Sequence, residues 1–366
     1  MIKIICLQNW WSVGEGLRTI NQVCTLINFL RKIYPNQLYF VLNFLDNDFI
    51  VKNCIGFSKV SKIPNEFYIK NIEYSYDNVI KNDFIPLIPG FHTFIHKENF
   101  DFLNNLKFMY NNIEYTGIQN AINFYIDEVH THHLNKIGQN LDLIPEDFIE
   151  HSKEHVCHVE LNENIENISE KIINTIEYTN FDSIFFRWEI GFNEVEDTKI
   201  IESYINKLIP FIDKNKYYFI SSNYSLFYEI IRYKIPNFFY IHRGRFDKFT
   251  KKSEKNYNYE PTIIVSNNDK IKTINDFNLI EFETSNIDYK IINNYIAHIE
   301  LSLICKSNEI FYMTEKTRNN ISLFLWLPSL KYSIPINWIN IPTNELIKRK
   351  YNFEKCIFGE KIKLKN

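Results

Sequence analysis

The chain has 366 residues, of which 45% are hydrophobic and 23% charged, and its formal net charge is -3. That is enough apolar material for one large or two medium domains with proper cores. The charge balance argues against a basic nucleic-acid groove.

The six cysteines are Cys6, Cys24, Cys54, Cys157, Cys305 and Cys356. None forms a Cys-x-x-Cys pair, which argues against a zinc ribbon or a thioredoxin motif and fits a reducing compartment. The opening apolar run, Met1 to Leu7, is too short for a secretory signal or an anchor and predicts a buried strand. No later stretch has the length needed to span a bilayer. A soluble cytoplasmic protein with no transmembrane segment is therefore expected.

The strand at 2–7 is followed by a polar loop, Gln8 to Gly16, and a helix from about Leu17 to Ile33. Leu17, Ile20, Val23, Cys24, Ile27 and Leu30 share one face of that helix, and Pro35 stops it. A second strand over 37–44 completes a βαβ unit with a parallel pair. Residues 50–160 are less regular and rich in aromatics and histidines. A helix over 165–178 follows a polar stretch, and the domain junction falls there. The expected division is an N-terminal α/β domain over 1–160, a Rossmann-like nucleotide-binding domain over 161–340, and a tail over 341–366.

The second half alternates regularly. Strands are expected at 184–186, 216–221, 237–241 and 309–313, with helices over 197–208, 226–233, 289–305 and 319–326. A polar insertion occupies 244–285. Such alternation predicts a doubly wound, mostly parallel sheet. Two such halves in one chain suggest an α/β protein with two Rossmann-like domains facing a cleft.

Arg187 ends the apolar run Ser183-Ile184-Phe185-Phe186. A guanidinium at the mouth of a buried strand is costly to desolvate unless an anion meets it. The carboxyl ends of strands are where α/β sheets bind ligands, which makes a diphosphate a natural partner. An ion pair with Glu189, Glu194 or Glu196 is the alternative.

Two strand-to-helix loops have the same character. In Gly14-Glu15-Gly16-Leu17-Arg18 the glycines allow close backbone approach, and the free first-turn N–H groups favour an anion. The third glycine of a dinucleotide fingerprint is missing, which disfavours a dehydrogenase. In Thr314-Glu315-Lys316-Thr317-Arg318 hydroxyls and cations could meet phosphate oxygens, although Thr314 or Thr317 would equally serve as a helix cap. His151, His155 and His158, with His130, His132 and His133 upstream, admit a metal cluster or a polar surface. His242 ends another strand and is placed on the same sheet edge as Arg187.

Taken in order, these segments resemble the fucosyltransferase superfamily of GT-B glycosyltransferases, which includes α-1,2, α-1,6 and protein O-fucosyltransferases. The family's Gly-x-Gly-Asn-Arg motif corresponds to Gly14-Glu15-Gly16-Leu17-Arg18, and its His-x-Arg motif to Phe185-Phe186-Arg187. A strand ending in small polar residues corresponds to Phe219-Ile220-Ser221-Ser222-Asn223, and the phosphate loop to Met313 through Thr317. The resemblance implies metal-independent, inverting transfer from GDP-fucose to a glycan or glycoprotein hydroxyl, with no further cofactor and no bound metal. It places Gly14, Gly16, Arg18, Ser222, Asn223, His242, Thr314, Lys316 and Thr317 around the donor. It implies that Arg187 meets the donor diphosphate, and it leaves Glu15, Asp127 or the leaving phosphate to take the acceptor proton. Three departures stand out: Leu17 replaces the motif asparagine, Phe185 the motif histidine, and Glu315 and Lys316 loop serines. A nucleotide-sugar-binding protein without turnover therefore remains a second reading, and a histidine-ligated metal hydrolase a third.

Overall fold

The computed structural model describes residues 2–7, 13, 30, 34, 39–44, 61–62, 68–72, 84–86, 93–110, 113–118, 120, 160–161, 163–188, 194–242, 262–267, 270–274, 289–314, 322–340, 344–351 and 356–363. The chain divides into two compact units, Met1–Asn164 and Ile165–Asn366.

In the first unit the described strands are β1 (Ile2–Leu7), β2 (Tyr39–Phe44), β3 (Ser61–Lys62), β4 (Tyr68–Ile72), β5 (Phe84–Pro86) and β6 (Thr93–His96). They are followed by the short helix α1 (Phe100–Asn104), β7 (Lys107–Tyr110), β8 (Ile113–Thr116) and β9 (Glu160–Leu161). A five-stranded sheet has the order β4-β2-β1-β6-β5. The expected parallel pair is present, with Ile2 opposite Tyr39 and Leu7 opposite Phe44. β6 runs antiparallel to β1. Of the segment between β1 and β2, Val13 and Leu30 are helical and buried. The rest of the expected helix and the Gly14–Gly16 loop lie outside the described residues.

The second unit contains α2 (Glu163–Ile176), β10 (Phe181–Arg187), α3 (Glu194–Leu208), β11 (Tyr217–Ser222), α4 (Ser225–Ile231) and β12 (Phe238–His242). Then come β13 (Thr262–Asn267), β14 (Lys270–Ile274), α5 (Tyr289–Ile304), β15 (Ile310–Thr314), α6 (Trp326–Leu330), β16 (Ile336–Asn340), β17 (Glu345–Tyr351) and β18 (Cys356–Lys363). A nine-stranded sheet has the order β14-β13-β12-β11-β10-β15-β16-β17-β18. Its centre, β12 to β16 through β11, β10 and β15, is parallel. Antiparallel strands flank that centre on both sides.

Three features differ from the sequence expectations. The polar insertion holds the hairpin strands β13 and β14, which extend one edge. Within the expected tail over 341–366, Glu345–Tyr351 and Cys356–Lys363 are strands of the same sheet, with Leu346 and Ile347 buried. Of the expected helix over 319–326, residues 319–321 lie outside the described residues; beyond them a 3-10 turn covers Leu323–Leu325, and α6 begins only at Trp326. Ser322 causes this locally, because its carbonyl accepts from Leu325 N at 2.9 Å and its Oγ from Phe324 N at 3.3 Å. Pro328 is tolerated in the first turn of α6, where N–H groups have no partner inside the helix.

The core strands are apolar on both faces, as buried parallel strands must be. On one face Ile184 and Phe186 of β10 and Trp188 just after it join Tyr218, Ile220, Phe311 and Met313, and α3 and α4 cover them with Ile201, Tyr204, Phe227 and Ile231. The other face carries Ser183, Phe185 and Arg187. Here Ser221 Oγ donates to the buried Glu300 of α5 at 2.9 Å. Cys305 is buried, and burial pushes its thiol well above the usual range, so it is no nucleophile.

At the amino edge of the sheet Asp182 is fully buried and receives Lys216 Nζ at 2.8 Å. Desolvation raises the Asp182 carboxyl, while the lysine opposes that rise. Lys216→Met removes the opposing charge. The variant is expected to lose about 1–2 kcal/mol at pH 7, less than a fully buried pair because the lysine end is half exposed. A carboxyl raised in the folded state binds more protons there than in the unfolded state. Stability therefore rises as pH falls through the folded value. With Asp182 raised further in the variant, its urea-unfolding gap from wild type should narrow between pH 7 and pH 5. A constant gap would remove Asp182 from the account.

Candidate functional site

The parallel strands fix where a ligand site can lie. In chain order β10, β11 and β12 are laid down toward one edge, and the chain then returns to place β15 and β16 on the other side of β10. The order reverses between β10 and β15, and the carboxyl ends at such a reversal form the ligand crevice of open α/β sheets. The residues ending these two strands are Arg187 and Thr314, and they are direct neighbours in the sheet register. Two residues singled out independently in the sequence are thus brought side by side at this point.

Arg187 is half-buried, and its Nη1 donates to Ser322 Oγ at 2.9 Å. Glu189, and the side chains of Glu194 and Glu196, lie outside the described residues. Thr314 is fully buried, and its Oγ1 has no hydrogen-bond partner among the described residues. A buried hydroxyl without a partner costs about 1–3 kcal/mol. Such a cost persists at sites that supply the missing acceptor or donor from outside. Ser322, which accepts the bond from Arg187, is only 2% exposed. No local pattern marked it: it lies 135 residues from Arg187 along the chain.

Ser222 ends β11, beside β10, and Asn223 follows it. Both are committed to internal bonds. Asn223 Oδ1 accepts from Trp188 N at 2.8 Å and its Nδ2 donates to the Trp188 carbonyl, which ties the ends of β10 and β11 together. Ser222 Oγ accepts from Tyr224 N at 3.1 Å. Tyr228 Oη accepts from Ser222 N at 2.7 Å and donates to the Ser222 carbonyl at 3.0 Å. Tyr224 in turn donates to the buried Asp197 at 2.7 Å.

His242 ends β12, two strands from β10 and so about 10 Å away. The residue is exposed, but Tyr240 stands edge-on against its ring at 6.4 Å between centroids. Partial desolvation lowers its pKa from the ordinary histidine value.

Phe185 lies two residues before Arg187 on β10. It is 6% exposed and stacks on Phe324 at 5.1 Å and on Tyr312 at 5.8 Å. Gly14, Glu15, Gly16, Arg18, Lys316, Thr317, Asp127 and the six histidines from His130 to His158 lie outside the described residues. Among the described residues no helix is long and apolar enough to cross a membrane. Among them, too, no three His, Cys, Asp or Glu residues are grouped as a metal site would require.

Fold and site together define an α/β protein whose second unit is a doubly wound sheet with Arg187 and Thr314 side by side at its strand-order reversal. No protein-family model and no curated protein matches the chain. Among solved structures it is similar to a NodZ alpha-1,6-fucosyltransferase soaked with GDP-fucose, with a TM-score of 0.39, 8% identity and 99% of each chain covered.

The orphan hydroxyl gives a separable prediction. Thr314→Val keeps the shape of the side chain and removes the unpartnered oxygen. It is expected to stabilise the protein by about 1 kcal/mol in urea unfolding. The same change should weaken binding of any anion seated at Arg187. A variant that is destabilised would mean the hydroxyl is satisfied in the native state.

Proposed function

We propose that the chain is a glycosyltransferase with a nucleoside-diphosphate sugar donor, in the first place GDP-fucose, and a glycan or protein hydroxyl as acceptor. The observation that carries this reading is the pairing of Arg187 with Thr314 at the reversal point of the sheet. Loss of the sugar leaves negative charge on the diphosphate. A guanidinium and hydroxyls already in position stabilise that charge without reorganising during the reaction. A planar guanidinium also grips phosphate oxygens in two places, which an ammonium does not.

In this reading Gly14, Gly16 and Arg18 and the loop residues Lys316 and Thr317 add donors around the nucleotide. Inversion requires the acceptor hydroxyl to attack the face opposite the diphosphate. Its proton goes to Glu15, to Asp127 or to the departing phosphate. A second reading, nucleotide-sugar binding without transfer, is favoured by the enclosed ring of Phe185 where the family motif has a histidine.

Thermal denaturation with GDP, UDP, CMP and their sugars tests the reading. A ligand at about a hundred times its Kd adds about 2.7 kcal/mol of stability. GDP and GDP-fucose are expected to raise the wild-type midpoint. No response to any nucleotide would sink the donor assignment, and a response without sugar transfer would select the second reading.

A further inference from the structure

Resting on the reading of Arg187 as the diphosphate contact, we infer that Ser322 is a positioning residue, and that Phe185 serves it through a stack of rings. An arginine side chain is long and rotamer-rich, so one that must meet a ligand in a fixed plane needs a tether. Ser322 Oγ supplies one at 2.9 Å from Nη1 and so sets the plane in which the other guanidinium donors lie.

The tether is itself held. Ser322 accepts from Phe324 N through its side chain and from Leu325 N through its carbonyl, which fixes the hydroxyl at the head of the 3-10 turn. The turn is held by Phe324, whose ring lies nearly parallel to Phe185 at 12° and 5.1 Å. Phe185 stacks in turn on Tyr312, and Tyr312 packs against Trp338 at 6.3 Å. These rings run across β10, β15 and β16 beneath the turn. Stacked aromatics of this kind add attraction beyond their buried area.

Phe185 and Arg187 are two residues apart on one strand, so their side chains leave the same face about 7 Å apart. A ring at position 185 therefore builds the platform on which Ser322 reaches the guanidinium. The phenylalanine at the motif histidine position is a part of the arginine's support, with no direct contact to ligand.

A double-mutant cycle on GDP binding, read by calorimetry, separates this role from a merely structural one. Ser322→Ala should weaken GDP by about tenfold, the effect of one well-placed bond to a charged group. Ser322→Thr, which keeps the hydroxyl, should restore affinity to within about twofold. In the Arg187→Ala background Ser322→Ala should have no further effect. Unchanged affinity in the single variant, or an equal loss in both backgrounds, overturns the inference. If wild type binds no GDP, the donor reading fails by itself and the inference is judged on the guanidinium. Ser322→Ala should then speed hydrogen exchange at the Arg187 Nη1 protons, followed by nitrogen-15 NMR with Arg187→Ala as the assignment control. Unaltered exchange overturns it.

Discussion

Arg187→Ala is expected to cut kcat/KM for sugar transfer by about 10²–10³-fold, the loss seen when one preorganised donor is taken from a developing negative charge. The protein itself should tolerate the change. Arg187 is half-buried at a strand end, and Ser322 keeps its bond from Phe324 N when the guanidinium is gone. The unfolding midpoint should therefore move little while the GDP-induced thermal shift collapses. Arg187→Lys should recover only part of the activity, because an ammonium keeps the charge but loses the fork. How the loss divides is informative. A fall in kcat with KM unchanged would place the contact in the transition state, and a rise in KM alone would make it a ground-state anchor. An Arg187→Ala protein that GDP stabilises as much as wild type would show that the ligand sits elsewhere.

What could be read in advance followed from where the physical signal is local. β10, β11, β12 and β15 are buried on both faces, so their sequences are continuous apolar runs that need no partner to be recognised. Their ends were legible too, because Arg187, Ser222 and Thr314 break those runs. β13 was missed although Thr262-Ile263-Ile264-Val265 is β-branched throughout, because a long polar stretch surrounds it. β17 and β18 lie toward a sheet edge and mix Lys with Leu and Ile, so hydrophobic continuity fails there. Ser322 carried no signal at all. A serine before Leu-Phe-Leu-Trp reads as a helix start, and its significance arises only from the chain reversal that sets it against Arg187. Ser222 and Asn223 illustrate the opposite difficulty. Small polar residues at a strand end suit a ligand crevice, yet the same groups serve to close the strand ends on each other, and sequence does not distinguish the two.

Phe186→Ala is expected to cost about 3–5 kcal/mol in urea unfolding, the range for truncating a fully buried aromatic ring. Phe186 is completely buried, next in sequence to Arg187 but on the opposite face of the sheet. Its ring stacks on Phe227 of α4 at 4.4 Å, meets Tyr204 of α3 edge-on at 6.3 Å and packs against Trp188 at 5.7 Å. It thus joins both covering helices to the central strand, and no single neighbour can move in to fill the space. Native domains hold only about 5–15 kcal/mol in reserve, so the alanine variant should lie near the limit of folding. Phe186→Leu leaves a smaller cavity and should lose less, which keeps the comparison measurable if the alanine variant does not accumulate. Because α3 and α4 cover this face while Ser322 and Phe324 cover the other, GDP affinity of the folded Phe186→Leu protein should stay within about threefold of wild type, as independent sites require. A large loss of affinity would mean that the two faces of β10 are coupled, and the support of Arg187 would then extend through the strand into the helix-covered core.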